Sequence, residues 1–248
     1  MKRLFLAYLI FITPLFAGSL EEAHHCYLLG EKAIQMEERE RYFNQALKSY
    51  SEVELVDAKL YFNLANCYYQ LDQRGMAIWY YHKAQALAPR NTKIEQNLKR
   101  AYAQSSVTPP AMEKVTSQLL FFHTKLLSSE RQILFYLLSF IAFILLSLCI
   151  WLKKALFRNL SIYSLALLGI IGTSLVVSNQ NRRLSAILIQ PSFIRCDAGK
   201  HYKEVDSKLE LAGQKVKVLE ISPDEKWVKI KAASNLEGYV PAEKIRML

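Results

Sequence analysis

Two apolar runs constrain this chain more than any other feature. Residues 133–152, "ILFYLLSFIAFILLSLCIWL", and 160–177, "LSIYSLALLGIIGTSLVV", contain no charged side chain over 20 and 18 residues. At about 1.5 Å of rise per helical residue, each reaches across a hydrocarbon layer of roughly 30 Å. Neighbouring uncharged runs of this length are rare in soluble cores, so both are expected to be transmembrane helices. The seven residues between them, "KKALFRN", are too few to cross back. The runs must form a hairpin, and the segments flanking it must lie on one side.

The N-terminus indicates which side. "MKRLFLAYLIFITPLFAGS" has a basic tip, an apolar stretch from Leu4 to Phe16 and then small residues. That order is the signature of a secretory signal peptide, assigned to 1–19. Cleavage after Ser19, cleavage after Ala17 and retention as an anchor all fit it. In each case the following segment is exported, and the loop at 153–159 is cytoplasmic. Lys153, Lys154 and Arg158 in that loop agree with the positive-inside bias, while Arg182 and Arg183 run against it. The net charge of +10 therefore has a membrane explanation. Residues 20–104 balance their acids and bases, and no basic face follows a phosphate backbone, so no nucleic-acid partner is expected.

The cysteines Cys26, Cys67, Cys149 and Cys196 form no disulfide framework, although the compartment is oxidising. Cys26 and Cys67 are expected to be buried free thiols. His24, His25 and Cys26 are adjacent on one turn and make a poor tetrahedral cage, so no metal is expected. Cys196 and His201 lack a third, orienting group. There is no phosphate-binding loop and no paired carboxylates, so the chain is expected to be no enzyme and to need no cofactor.

Between signal and hairpin, residues 58–91 read "AKLYFNLANCYYQLDQRGMAIWYYHKAQALAPRN". Tyr61, Leu64, Ala65 and Tyr68 recur at helical spacing, as do Ala77, Tyr81 and Ala84, and Pro89 ends the unit. Ala65 and Ala77 are small enough for two helix backbones to approach closely. Asp72 stands at the turn and tolerates the left-handed conformation. This 34-residue stretch closely resembles a tetratricopeptide repeat. One repeat cannot bury its outer faces. Its flanks supply the stripes Ala23, Tyr27, Gly30, Ile34 and Phe43, Ala46, Leu47, Tyr50, Val53, and a closing helix with Ile94, Leu98 and Tyr102. Residues 20–104 are thus expected to form an all-α tetratricopeptide helical stack of about five helices. The resemblance implies a protein-binding groove lined by Lys59, Phe62, Asn66, Tyr69, Gln70, Lys93, Asn97 and Arg100. Asn66, Lys93 and Asn97 partly match the family's carboxylate-gripping clamp, with Phe62 in place of its usual lysine.

Residues 105–132 comprise a linker, "SSVTPP", and an apolar helical stripe. That stripe, Val115, Leu119, Phe122 and Leu126, suits a helix over 112–128 lying in the membrane interface, or one packed on the helical stack. Beyond the hairpin the periodicity changes. "QKVKVLEI" alternates, with Val216, Val218 and Glu220 on one side and Lys215, Lys217 and Leu219 on the other. Turn residues separate it from "KWVKIKA" and "EGYVP", so 186–248 is expected to be a small all-β barrel. "FIRCDAG", "LAGQKVKVLE", "WVKI" and "GYVPAEKI" resemble a bacterial SH3-type domain, with Cys196 where that family carries serine or alanine. The resemblance suggests an exposed ligand patch at Trp227 and Tyr239, for a peptide or a peptidoglycan stem.

Signal, tetratricopeptide helices, two-span hairpin and terminal SH3-like barrel together resemble the BatE-type members of the bacterial aerotolerance (Bat) family. That resemblance implies a bacterial inner (cytoplasmic) membrane protein with both soluble domains periplasmic. It also implies partners among envelope proteins, such as the von Willebrand A-domain membrane proteins of the Bat group. Two functions from different classes follow. One is a non-catalytic scaffold that binds partner proteins through the helical groove. The other is a cell-wall anchor that binds peptidoglycan through the barrel.

Overall fold

The structure, a computed structural model, describes residues 20–54, 56–107, 125–183, 185–207 and 209–248. The signal peptide expected over 1–19 and most of the interfacial helix expected over 112–128 lie outside the described residues. The chain divides into two compact units. One joins the N-terminal helices to the C-terminal strands, and the other spans 111–185.

The first unit begins with five helices: α1 (residues 20–32), α2 (Met36–Ser51), α3 (Ala58–Gln70), α4 (Arg74–Leu87) and α5 (Thr92–Ser105). Local chemistry sets their ends. The Asp57 carboxylate accepts from the Leu60 N–H at 2.6 Å and starts α3. The Asn91 side chain accepts from the N–H groups of Lys93 and Ile94 and starts α5. Asp72 takes a φ of 59° in the tight turn between α3 and α4, the conformation its position demands. Ala65 and Ala77 are fully buried, so α3 and α4 approach as their small side chains allow. Phe43, Ala46 and Tyr50 bury the inner face of α2, and Ile94, Leu98 and Tyr102 that of α5. Ile34 departs from the expected stripe. Helix α1 ends before it, and its side chain is 97% exposed.

The C-terminal strands of this unit are β1 (Ser185–Leu188), β2 (Lys215–Ile221), β3 (Trp227–Lys231), β4 (Glu237–Pro241) and β5 (Ile245–Met247). They form a small sheet in the order β4-β3-β2-β1-β5, with the β1/β5, β2/β3 and β3/β4 pairs antiparallel. Val216, Val218, Val228, Ile230, Val240 and Ile245 share its core. The alternation along β2 holds as far as Val218. A register shift between Val218 and Glu220 then turns Glu220 out to solvent.

Helices and strands of this unit share a seam. Ile187 of β1 is fully buried in the cluster that holds Ile78, Tyr81, Leu98 and Tyr102, and Leu248 packs against the same cluster. The Trp79 indole N–H donates to the Met247 carbonyl at 2.7 Å. Two glycines permit the approach. A Cβ on Gly75 would lie 2.4 Å from the Ile189 carbonyl oxygen, and one on Gly213, at φ 94°, would lie 2.5 Å from Ile78 Cδ1. His82 is partly buried at the seam, its Nε2 2.7 Å from the Tyr102 hydroxyl.

The second unit holds α6 (Ser128–Leu152) and α7 (Ala155–Arg183), which pack on each other. Both are long and apolar enough to cross a membrane. A core helix of a soluble protein would be covered, whereas only 6% and 17% of their apolar windows are buried. Phe143 is 68% exposed and Trp151 86%. Both helices exceed the uncharged runs. The Leu127 N–H bonds the Glu130 carboxylate and opens α6 early, and "ALFRN" contains no helix breaker, so α7 starts at Ala155. The seven-residue loop expected at 153–159 contracts to Lys153 and Lys154. Arg131 is buried between the helices, its guanidinium donating to the Ser174 hydroxyl at 3.1 Å.

Burial, then the nearby Lys215 charge, lowers the His82 pKa well below its ordinary 6.5, so the folded seam favours the neutral ring. Stability from this group is fully present above about pH 6.5 and falls as the pH drops below that value. Thermal unfolding of the detergent-solubilised chain at pH 7.5, 6 and 5 should show this loss, and His82→Leu should flatten it.

Candidate functional site

Two cavities open on the helical part of the first unit. Helices α1, α3 and α5 contribute Tyr27 and Glu31, then Asn66, Tyr69 and Gln70, then Asn97 and Arg100, while Tyr81 reaches in from α4. Together they line a cavity of about 400 Å³. The second, about 500 Å³, lies where α3 and α5 begin, and is lined by Asp57, Ala58, Lys59, Phe62, Asn63, Asn91, Lys93 and Ile94. The α3 residues recur every three or four positions, so one helical face feeds both cavities.

The groove expected from sequence is therefore divided. Asn66, Tyr69, Gln70, Asn97 and Arg100 come together in the first cavity. Lys59, Phe62 and Lys93 line the second. Phe62 marks the division, its ring centroid 6.0 Å from that of Tyr81. Lys93 does not join Asn66 and Asn97, so the partial clamp pattern is not assembled around one cavity. The sequence reading missed Tyr27, Glu31 and Tyr81. The first two are four residues apart and share a face of α1. That signal was present, but Tyr27 was assigned wholly to the core stripe, whereas its ring is half-buried.

A polar network fixes the first cavity's chemistry. Burial raises the Tyr81 and Tyr27 phenols above the ordinary range, with Glu31's charge adding to Tyr27's shift. Both stay protonated and act as donors at neutral pH. The Tyr81 hydroxyl donates to Asn66 Oδ1 at 2.6 Å, and Asn97 Nδ2 donates to the same oxygen at 3.2 Å. The Asn66 carbonyl is thus committed, and its amide nitrogen is what it can offer a ligand. Gln70 is held at both ends, its oxygen accepting from Arg39 and its amide bonded to Tyr27. The Arg74 guanidinium lies 4.6 Å from the Tyr69 ring centroid and holds that ring. Arg100 is exposed at the rim. The cavity can supply N–H donors and one exposed cation to an oxygen-bearing ligand, with the Glu31 carboxylate beside them.

The patch expected at Trp227 and Tyr239 has a different outcome. Trp227 is 8% exposed, with its backbone N–H bonded to Ser222 Oγ. Its ring is therefore not the free half of an exposed aromatic pair. Tyr239 is half-exposed, 5.8 Å from the Lys229 ammonium. Arg195 braces the neighbouring turn by donating to the carbonyls of Lys200 and Tyr202 and pairing with Glu204 at 3.6 Å.

Cys26 and Cys67 are buried free thiols in one cluster. Burial pushes Cys67 up to about 12 and raises Cys26 as well, so neither is a ready nucleophile. Cys196 is exposed. Among the described residues, no group of three or more His, Cys, Asp or Glu side chains is placed to hold a metal. Compared with protein-family models and with curated proteins, the chain matches none.

Tyr81→Phe removes the donor that orients Asn66. Losing one such bond costs about 0.5–1.5 kcal/mol. Urea unfolding followed by helical circular dichroism should show a loss of that size, and Ala77→Leu, which wedges α3 from α4, about 1–3 kcal/mol.

Proposed function

We propose that this chain is a membrane-anchored, non-catalytic scaffold that binds partner proteins through the cavities of its helical stack. The observation that carries this reading is the donor-rich cavity formed by Asn66, Asn97, Arg100 and their neighbours on a surface built from three helices. A peptide segment presenting main-chain carbonyls or a side-chain carboxamide or carboxylate satisfies such donors. The helical stack is read as tetratricopeptide-type and the strands as an SH3-type barrel, on the motifs quoted above. The similarity to the Bat family suggests envelope partners, including von Willebrand A-domain membrane proteins.

Helices α6 and α7 are read as the two spans in the inner membrane, supported by their length, composition and exposed apolar faces. Both soluble parts are placed on the periplasmic side. Their shared core supports one side for both, since Ile187 and Leu248 pack with Ile78 and Tyr102. The signal-like N-terminus and the basic turn at Lys153 and Lys154 support the outer side. The peptidoglycan-binding alternative has less support, because Trp227 is buried.

Copurification from detergent-solubilised membranes tests the scaffold. Arg100→Glu and Asn66→Ala should each cut retention of the von Willebrand A-domain partner about tenfold, the effect of losing roughly 1.4 kcal/mol. Lys229→Glu on the barrel should leave retention unchanged; equal retention by all three variants overturns the groove. Topology has a native probe in Cys196. A membrane-impermeant maleimide should label it on intact spheroplasts, and Cys196→Ser should abolish the signal. Labelling only after lysis would place the soluble parts in the cytoplasm.

A further inference from the structure

Helix α4 is covered on two faces. Ala77, Tyr81 and Ala84 turn towards the helical core. Gly75, Ile78 and His82 lie at spacings of three and four residues on another stripe, with Trp79 four residues after Gly75 beside them. A helical solenoid needs its last apolar face closed by something other than a further repeat. Here the closing atoms come from the strands. Ile187 is fully buried in the helical cluster, the Ile189 backbone lies over Gly75, and Gly213 lies over Ile78. The Met247 carbonyl accepts from Trp79. Every one of these groups follows both apolar helices in the chain, whereas the stripe they cover precedes both.

We infer that the C-terminal barrel is the obligate end cap of the helical stack, so that the helical groove is completed only once both apolar helices have returned the chain to its starting side. The capping half rests on the seam alone, and the return half rests also on the membrane reading above. The barrel has a core of its own in Val216, Val228, Ile230 and Val240, so it holds its shape while it caps. The helices keep a cluster of their own around Tyr50, Leu60 and Leu64, but the one that holds Ile78, Tyr81 and Tyr102 is shared with Ile187. Without Ile187 and the Ile189 backbone, Ile78, which is now fully buried, lies open to water. A chain arrested before the second span, or inserted with one span only, would carry an uncapped stack.

Amide hydrogen exchange on the full chain, with no partner present, tests this. Gly75→Leu is the informative variant, because leucine favours helix more than glycine does. Any loss must then come from the wedge at the seam. Exchange in α4 and α5 should accelerate about tenfold or more in Gly75→Leu and in Leu248→Glu, for each 1.4 kcal/mol of cap lost. Exchange in α6, α7 and the barrel core should stay slow. Deleting 155–177, which strands the barrel across the membrane, should accelerate α4 and α5 to the same degree. Unchanged protection of α4 in both point variants overturns the cap. Acceleration in the point variants with unchanged protection in the deletion overturns the dependence on return. Neither readout uses a partner, so a failed scaffold and a failed cap are told apart.

Discussion

The close approach of helix α4 to two different neighbours is the constraint on which the first unit depends. On one face Ala77 admits α3, and on the other Gly75 admits the backbone at Ile189. Both contacts need a missing or minimal side chain, because a backbone packed this tightly leaves no room for a rotamer to yield. Trp79 adds a directional bond to Met247, and Ile187 and Leu248 fill the remaining apolar space. The strands are thus a structural part of the helical body, although the chain makes its long excursion through α6 and α7 between them.

That arrangement changes what each part can do. Strands packed on α4 through Ile187 and the Trp79–Met247 bond do not move as a free module would. The cavities lie on the face built by α1, α3 and α5. In the first of them burial raises the phenols of Tyr27 and Tyr81 further above neutral pH, and they set the orientation of the amides beside them. The result is a preformed array of donors, with the exposed Arg100 at its rim.

Much of this was legible in the residues. The stripes of α2 to α5 placed Phe43, Tyr50, Ala65, Ala77, Leu98 and Tyr102 in the core, and Asp72 marked the turn. The alternation of β2 was readable up to Val218 and failed at the register shift, which no local pattern announces. Ile34 was misplaced because its spacing continued the stripe of α1 after the helix itself had ended. In the cavities, five of the eight groove residues came together, but Lys59, Phe62 and Lys93 lie towards the start of the helices and line a separate space. Trp227 showed strand propensity, which carries no information on its burial.

Periodicity, length and charge determined which segments are helices, which are strands, which two are apolar enough for a bilayer, and which faces turn inward. These are local properties, carried by spacings of two, three and four residues. Tertiary structure alone decided that the strands close the helical stack, that the groove is two cavities, and that His82, Tyr102 and Lys215 meet at a seam. The seam depends on contacts between residues more than a hundred positions apart, where Gly75 and Gly213 give no local sign of what will approach them, and the division into two cavities depends on residues drawn from separate helices.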